Sequence, residues 1–463
     1  MKTKLLFRNF FFLATFFFVS IMSGQGCWTA ISAGRTHTVA IKDDGTIWSW
    51  GSNSRGQLGD GTTMQHYSPA QIGTDSNWAK IACGDYHTIA VKTDGTLWVW
   101  GDNGIGQLGG TAGSNILSPT QIGNETNWAE VSTGRQHCTA LKTDGTLWAW
   151  GMGLNGAIGD GAMEDRPDPV QIGIATNWSK IYCGYYHTLG IRTDGTLWAW
   201  GWNASGQLGI GTDVDELSPI QVGTDNDWVD ISAGNAHSVA LKSNGTLWGW
   251  GFNILGQLGN GTTDDVWVPT QSGTQTNWEK IVSGLGHTIG LKTDGTIWTC
   301  GLNNTGQLGN GTVDPSASTP YPDLTQVGTD NDWQFISVGS HFVHCLKDAQ
   351  IWSWGSNISG QFGNGSNSSN PNPETYLNCT TLSIAEIAPH TFTVYPNPAR
   401  DVIQIMTQEY TLFDEIIVTD VYGKTVITQQ QTAQVNTSGL VSGMYIIRAS
   451  VDGKTMTAKF VKM

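Results

Sequence analysis

An all-β chain made of seven like units is predicted by three features of the sequence: a fixed period, a repeated turn and an unusual composition. Residues 78–109 recur in outline along the chain. The leading tryptophan falls at Trp28, Trp78, Trp128, Trp178, Trp228 and Trp278, fifty residues apart, and again at Trp333 after a five-residue insertion. A period near fifty marks a solenoid or a propeller. Within the unit, apolar and polar residues alternate through Ile89, Val91, Leu97 and Val99, with Asp94-Gly95 between the two runs. That is a hairpin pattern, and Asp-Gly leads us to expect a type I′ turn, which needs positive φ at both central residues. Asp44-Gly45, Asp144-Gly145, Asp194-Gly195, Asn244-Gly245 and Asp294-Gly295 repeat it. Sixty glycines and 22 tryptophans suit turn-rich β structure with aromatic packing.

In chain order, residues 1–26 read as a secretory signal peptide: Lys2, Lys4 and Arg8 precede a Phe- and Leu-rich run, and small residues follow at Ser23, Gly24 and Gly26. The Gly-Gln-Gly before Cys27 departs from a lipoprotein box, so a lipid on Cys27 is the lesser alternative. No later apolar run reaches the ~20 residues of a membrane span.

From 27 to 379 the units follow one another almost without linker. Each supplies four short strands: one near residues 69–73, one after the tryptophan, and the hairpin. Four-stranded sheets repeated radially make a propeller, so seven blades are expected. The chain enters at Trp28 without a strand of the 69–73 kind. The spare segment 373–377 is therefore expected to complete blade one, placing Cys27 and Cys379 in one turn, close enough for a disulfide. Cys83, Cys138, Cys183, Cys300 and Cys345 read as buried free thiols acting as small apolar groups.

At Gly84, His87, Lys92, Asp94-Gly95-Thr96, Trp98, Trp100-Gly101, Asn103 and 106–109 (GQLG), the unit resembles the regulator-of-chromosome-condensation repeat. After a linker at 380–390, residues 391–463 carry FTVYPNPA (392–399), VTDVYGK (418–424), GMYIIR (443–448) and KFVKM (459–463). This region resembles the type A C-terminal sorting domain of the type IX secretion system. That resemblance implies a small β-sandwich recognised by the secretion translocon, and display on the outer surface of a Gram-negative bacterium or release from it.

Six units place a histidine nine residues after the tryptophan: His37, His87, His137, His187, His237 and His287; the seventh has Phe342 there. A residue repeated in each blade belongs to the folding code, and we expect each imidazole to bond a neighbouring backbone group. A metal ring is set aside, because zinc needs ligands at ~2.1 Å and the seven-fold spacing keeps the rings apart. The acidic loops at Asp60, Asp213, Asp215 and Asp264 lack the order of a calcium loop and read as solvated turns. No nucleophile elbow, phosphate loop or His-Glu-x-x-His motif is present. No catalytic residue, metal or cofactor is expected, and the chain reads as a non-enzyme.

Recognition is expected where the units differ. The two residues before each histidine vary: Arg35-Thr36, Asp85-Tyr86, Arg135-Gln136, Tyr185-Tyr186, Asn235-Ala236 and Leu285-Gly286. The residue after Trp-Gly varies likewise, including Trp202 and Phe252. Tyr, Trp and Arg are enriched at binding hot spots, so Arg35, Asp85, Tyr86, Arg135, Gln136, Tyr185, Tyr186, Trp202 and Phe252 are the candidate binding residues. Lys plus Arg number 23 against 38 for Asp plus Glu, a formal charge of −15, which opposes nucleic-acid binding. The nuclear members of the resembled family exchange nucleotide on a small GTPase through a blade insertion. Here the first six units hold a strict pitch and the chain is exported, which argues against that activity. A secreted bacterial propeller of similar fold that binds β-lactamases is the better analogue. The expectation is a secreted or surface-displayed module binding a protein or glycan, with a lectin-like or carbohydrate-active propeller as the alternative.

Overall fold

A computed structural model describes residues 27–377, 392–406, 412–420, 424–451 and 454–463. The leader at 1–26, Cys379 and the linker at 380–390 lie outside the described residues. The chain divides into two compact units, 1–381 and 382–463.

The first unit is seven four-stranded antiparallel sheets. In blade one the order is Trp28–Ala33, His37–Lys42, Ile47–Gly51, His66–Gln71. The first strands of successive blades pack side by side around a central channel. The middle strands are buried, whereas the fourth strand is exposed at the rim. In six blades the first tryptophan packs edge-on against two others, Trp78 against Trp98 and Trp100 at 5.8 and 6.0 Å; in blade six Cys300 takes the place of the second partner and Trp278 meets Trp298 alone. A cation sits on the first pair: Lys92 Nζ is 4.6 Å from the Trp78 ring and 3.7 Å from Trp98. All seven blades repeat this Trp–cation–Trp stack, with Arg192 in place of lysine in blade four. Desolvated cation–π contacts of this kind stabilise by roughly 1–2 kcal/mol each, which accounts for the tryptophan-rich composition.

Two sequence expectations need correction. Residues 373–377 do not complete blade one. They lie in Asn370–Leu377, the outer strand of blade seven, where Ile351 faces Leu377 and Gly355 faces Asn370. Blade one is completed by its own downstream segment, with Trp48 opposite Gln71 and Gly51 opposite His66. The outer strand is reached from the hairpin through the glycine-rich loop, so every blade is contiguous in sequence, and the ring closes without a shared strand.

Loops and side chains make the closure instead. Gly365 N–H donates to Tyr67 O at 2.8 Å, as Gly61 does to Leu117 O. Trp50 Nε1 donates to Gln361 O at 2.7 Å, and Trp28, Ile31 and Trp50 share a core with Leu346 and Ile351. Along the channel, Gly34, Gly84, Gly134, Gly184, Gly234, Gly284 and Gly339 approach one another in turn. A methyl added to any of them would stand 2.3–2.9 Å from the carbonyl oxygen of the next, Gly339 meeting Gly34. No other residue type fits there.

The second correction concerns the hairpin turn. Gly45 has φ +76° and is the only positive-φ residue of its turn. Lys42 N–H donates to Thr46 O at 3.0 Å and Gly45 N–H to Lys42 O at 2.9 Å. This is a three-residue loop, a type I turn followed by a left-handed glycine, rather than type I′. Asp44 Oδ1 fixes it by accepting from Thr46 N–H and Oγ1 at 2.9 and 2.6 Å. A side chain on Gly45 would meet Ser76 O at 2.0 Å. The expected type I′ turn does occur in blade seven, where the loop is one residue shorter and Asp348 and Ala349 have φ +52° and +58°. Positive φ without glycine costs about 1 kcal/mol or more per residue, and this is the one blade without the Asp-Gly or Asn-Gly device.

The second unit is a sandwich of a three-stranded sheet (Thr393–Tyr395, Val402–Met406, Gln434–Asn436) and a four-stranded one (Thr425–Thr432, Phe413–Asp420, Gly443–Val451, Lys454–Lys462). Phe392, Ile403, Phe413, Val418, Tyr445, Ile447 and Phe460 fill the space between them. Alternation along Gly443–Val451 sends Tyr445, Ile447, Ala449 and Val451 inward.

Candidate functional site

The recurring histidines form an inter-blade relay beneath the channel face. His37 Nε2 lies 3.1 Å from Thr88 Oγ1 of the next blade, and that hydroxyl donates to Gln57 O at 3.0 Å. His137 meets Thr188 at 3.1 Å, His187 meets Ser238 at 2.9 Å, and His237 meets Thr288 at 3.1 Å. Because the hydroxyl gives its proton to a carbonyl, the imidazole must donate from Nε2; Nδ1 is left without a partner in these rings. The histidine therefore reaches the backbone through an interposed side chain rather than directly, as the sequence suggested. Cys138 takes the hydroxyl's place between His87, at 3.2 Å, and Gln107 O, at 3.3 Å. That thiol is a relay member and more than an apolar filler.

The relay breaks and restarts at the seam. Among the described residues His287 has no hydrogen-bond partner on either nitrogen, and Val343 stands in blade seven where the others carry a hydroxyl or thiol. Phe342 fills the histidine position of blade seven, and His344 supplies the missing link. Its Nε2 lies 3.0 Å from Thr38 Oγ1 of blade one, which donates to Gln361 O, and its Nδ1 is 2.7 Å from Ser353 Oγ. Loss of water lowers these histidines to about 3, His137 to about 4. At neutral pH they are uncharged hydrogen-bonding wedges.

Above the relay, the residues before the histidines form the mouth of the channel. The backbone turns Gly34–Thr36 and its six counterparts carry them, each held by a bond such as Asp102 N–H to Tyr86 O at 2.8 Å. Asp85 lies at the centre of one arc, 6% exposed. Arg35 Nη1 approaches its carboxylate at 3.2 Å from blade one and Arg135 Nε at 3.8 Å from blade three. Arg35 stands 5.6 Å from the Tyr86 ring; Arg135 stands 4.9 Å from Tyr185 and 5.3 Å from Tyr186. Tyr186 meets Tyr185 at 4.9 Å and Trp202 at 6.1 Å, both edge-on. Seven of the nine candidate binding residues thus come together. Gln136 and Phe252 occupy the corresponding positions of blades three and five, but among the described residues no side-chain hydrogen bond, ion pair or ring contact joins them to the cluster.

Burial pushes the Asp85 carboxyl up to about 6 against the pull of both guanidiniums. Burial also opposes the charge on Arg35, yet Asp85 and its hydrogen bond leave that guanidinium held above its ordinary value. The cluster is therefore a buried carboxylate with two half-exposed cations, bearing one net positive charge at neutral pH.

A second arc of charge, not anticipated from the sequence, runs along the inner strands of blades two to six. The third residue of successive inner strands alternates in sign: Lys80, Glu130, Lys180, Asp230, Lys280. Lys80 pairs with Glu130 at 2.7 Å, and Asp230 with Lys180 at 2.9 Å and Lys280 at 3.7 Å. They line a cavity of about 340 Å³ together with Tyr182. The signal lay in the sequence as sign alternation at fifty-residue spacing. The acidic loop residues also do more than meet solvent: Asp60 accepts from Asn53, Thr62 and His66, and Asp215 from Asn155 and Asn203 N–H. They pin the loops that seat on the next blade.

Residues 16–246 match the model of the RCC1-like domain, and residues 244–291 and 294–346 match the regulator of chromosome condensation (RCC1) repeat. Residues 393–463 match the secretion system C-terminal sorting domain. Among solved structures, human WBSCR16 is similar at TM-score 0.64 and 21% identity, covering 72% of this chain and 94% of its own. Prp20p from Saccharomyces cerevisiae, whose binding to Gsp1p and histones accompanies its structure, is similar at TM-score 0.61 and 21% identity, over 69% of this chain and 83% of its own. The chain belongs to the regulator of chromosome condensation repeat propellers, and its sorting domain marks it for type IX secretion to the cell surface or beyond.

Proposed function

We propose that the propeller is a binding module carried to the cell surface or the medium, and that it takes its ligand, a protein or a glycan, on the channel face at the arc of Arg35, Asp85, Tyr86, Arg135, Tyr185, Tyr186 and Trp202. The single observation behind this reading is that variable residues fifty positions apart gather into one charged and aromatic cluster while the scaffold beneath stays constant. Loops on a rigid frame are where recognition is usually placed. A signal peptide at 1–26 would start export, and 391–463 would engage the type IX translocon at the outer membrane. A lectin-like reading is favoured by the three tyrosines and the tryptophan, whose faces suit sugar rings. Nucleotide exchange draws no support from this cluster, which has no blade insertion beside it.

Changing Tyr86, Tyr185 and Tyr186 together to Ala should abolish capture of ligands from the surrounding medium with little change in melting temperature. Unchanged capture would move the site off this face. Truncation after Pro389 should leave the propeller folded and retained in the periplasm; normal surface display of that form would refute the address.

A further inference from the structure

The charge of the cluster narrows the chemistry of the ligand. Two guanidiniums converge on one carboxylate, so one positive charge remains unmatched, in a chain whose formal charge is −15. The carboxylate is the buried partner: the Asp85 side chain is 8% exposed, against 41% for Arg35 and 35% for Arg135. Asp85 thus takes one nitrogen of each guanidinium, Nη1 of Arg35 and Nε of Arg135, and both arginines remain partly exposed at the mouth. Stacking on Tyr86, Tyr185 and Tyr186 restricts both arginines, so little side-chain entropy is lost when an anion docks. A planar fork of this kind matches a carboxylate through paired hydrogen bonds.

The surroundings decide what carries that carboxylate. The basin at the mouth, about 110 Å³, is ringed by Gly34 and its counterparts and by polar side chains such as Arg35, Asp85, Asn235 and Ser340. Such a lining gives the aliphatic anchor of a peptide little apolar surface to bury. Flat aromatic faces, rather than an aliphatic pocket, flank the guanidiniums. A polyanion such as nucleic acid would meet the field of a chain with fifteen excess negative charges, whereas a sugar acid presents one charge on an otherwise neutral ring. We propose that Arg35, Asp85 and Arg135 form a carboxylate clamp for an acidic saccharide, with Tyr86, Tyr185 and Tyr186 supplying faces for the sugar ring. This rests on the channel-face reading above and gives it a substrate class.

Calorimetric titration of the full mature chain tests it with four probes: galacturonate, its methyl ester, neutral galactose, and a short peptide with a free C-terminal carboxylate. The acid is expected to bind, more weakly as salt rises, and the ester and the neutral sugar to bind about 10- to 100-fold less tightly, the loss expected for one charge-assisted pair. Arg135→Gln should cause a similar loss for the acid and none for the ester, with Arg135→Lys restoring part of it. Since Arg135 is a surface side chain, an unchanged melting temperature is expected and separates lost binding from lost fold. Equal binding of acid and ester, or binding of the peptide alone, would overturn the saccharide clamp while leaving the channel-face reading intact if the triple tyrosine variant loses that binding. Failure of all three saccharides to bind would overturn the clamp as well.

Discussion

Two arcs of the same channel mouth differ sharply. Over blades one to four the inner positions are Arg35, Asp85, Arg135 and Tyr185, backed by Tyr86, Tyr186 and Trp202; over blades five to seven they are Asn235, Leu285 and Ser340, backed by Ala236, Gly286 and His341. The backbone under both is the same: the glycine ring runs unbroken, and the turn before each histidine is held by the same bonds. Sequence variation is therefore tolerated above the relay all round the mouth, and charge gathers on one side of it. The difference teaches that the scaffold and the recognition surface are separable, and that a substitution should affect one without the other.

Acid should produce the largest effect, and should affect both arcs. The buried histidines sit at about 3 to 4 in the fold against an ordinary value of 6.5. A base held low in the native state adds stability above its unfolded pKa and loses it as pH falls toward the folded one. Each fully buried ring contributes ~3–5 kcal/mol that disappears between about pH 6.5 and pH 3. Circular dichroism across that range should show cooperative unfolding with uptake of several protons, and hydrogen exchange at pH 5 should rise in blades two and five alike. A response confined to one arc would break the shared-scaffold view.

The seam, where the arcs meet, comes next. Cys83, Cys138, Cys183, Cys300 and Cys345 are free thiols, and Cys27 is not among them. We expect Cys27 and Cys379 to be bridged in the exported protein, which would close a loop of roughly 350 residues worth ~4–6 kcal/mol in the chain-entropy model. Nonreducing peptide mapping should link the two, and reduction should lower the melting temperature. Two free terminal cysteines would leave Thr38, His344 and the loop at 357–365 to close the ring unaided.

Smaller effects test the separation directly. His187→Ala, under the aromatic arc, and His237→Ala, under the plain one, should each cost ~1–3 kcal/mol by stranding a buried hydroxyl, measured by denaturant unfolding. Only an unequal cost would show that the arcs rest on different supports. Smallest is Val343→Thr, which gives His287 the hydroxyl it lacks and should stabilise by ~0.5–1.5 kcal/mol; a loss would mean that the valine's packing outweighs the missing bond.

Much of this molecule was legible in its sequence because the period is local. Six tryptophans at fixed spacing and a seventh five residues late, an Asp-Gly pair between alternating runs and six histidines in register determine sheet, turn position and blade number, since each reports contacts within a few tens of residues. The sorting domain was legible for the same reason. What tertiary structure alone decided is how these local pieces share strands and partners. The outer strand at 370–377 could pair with either end of the array by pattern, and only the geometry of the glycine-rich loop assigns it to blade seven. The turn type depended on one residue of loop length and on Ser76 O lying where a Cβ would be. His344 could take over from Phe342 only because the ring brings it to Thr38, 306 residues away. Arg35, Asp85 and Arg135, fifty residues apart in the chain, became one charged group because adjacent blades stand side by side at the channel. The physical reason is common to all four: hydrophobic period and turn chemistry act along the chain, whereas pairing across a ring depends on distances that no single repeat contains.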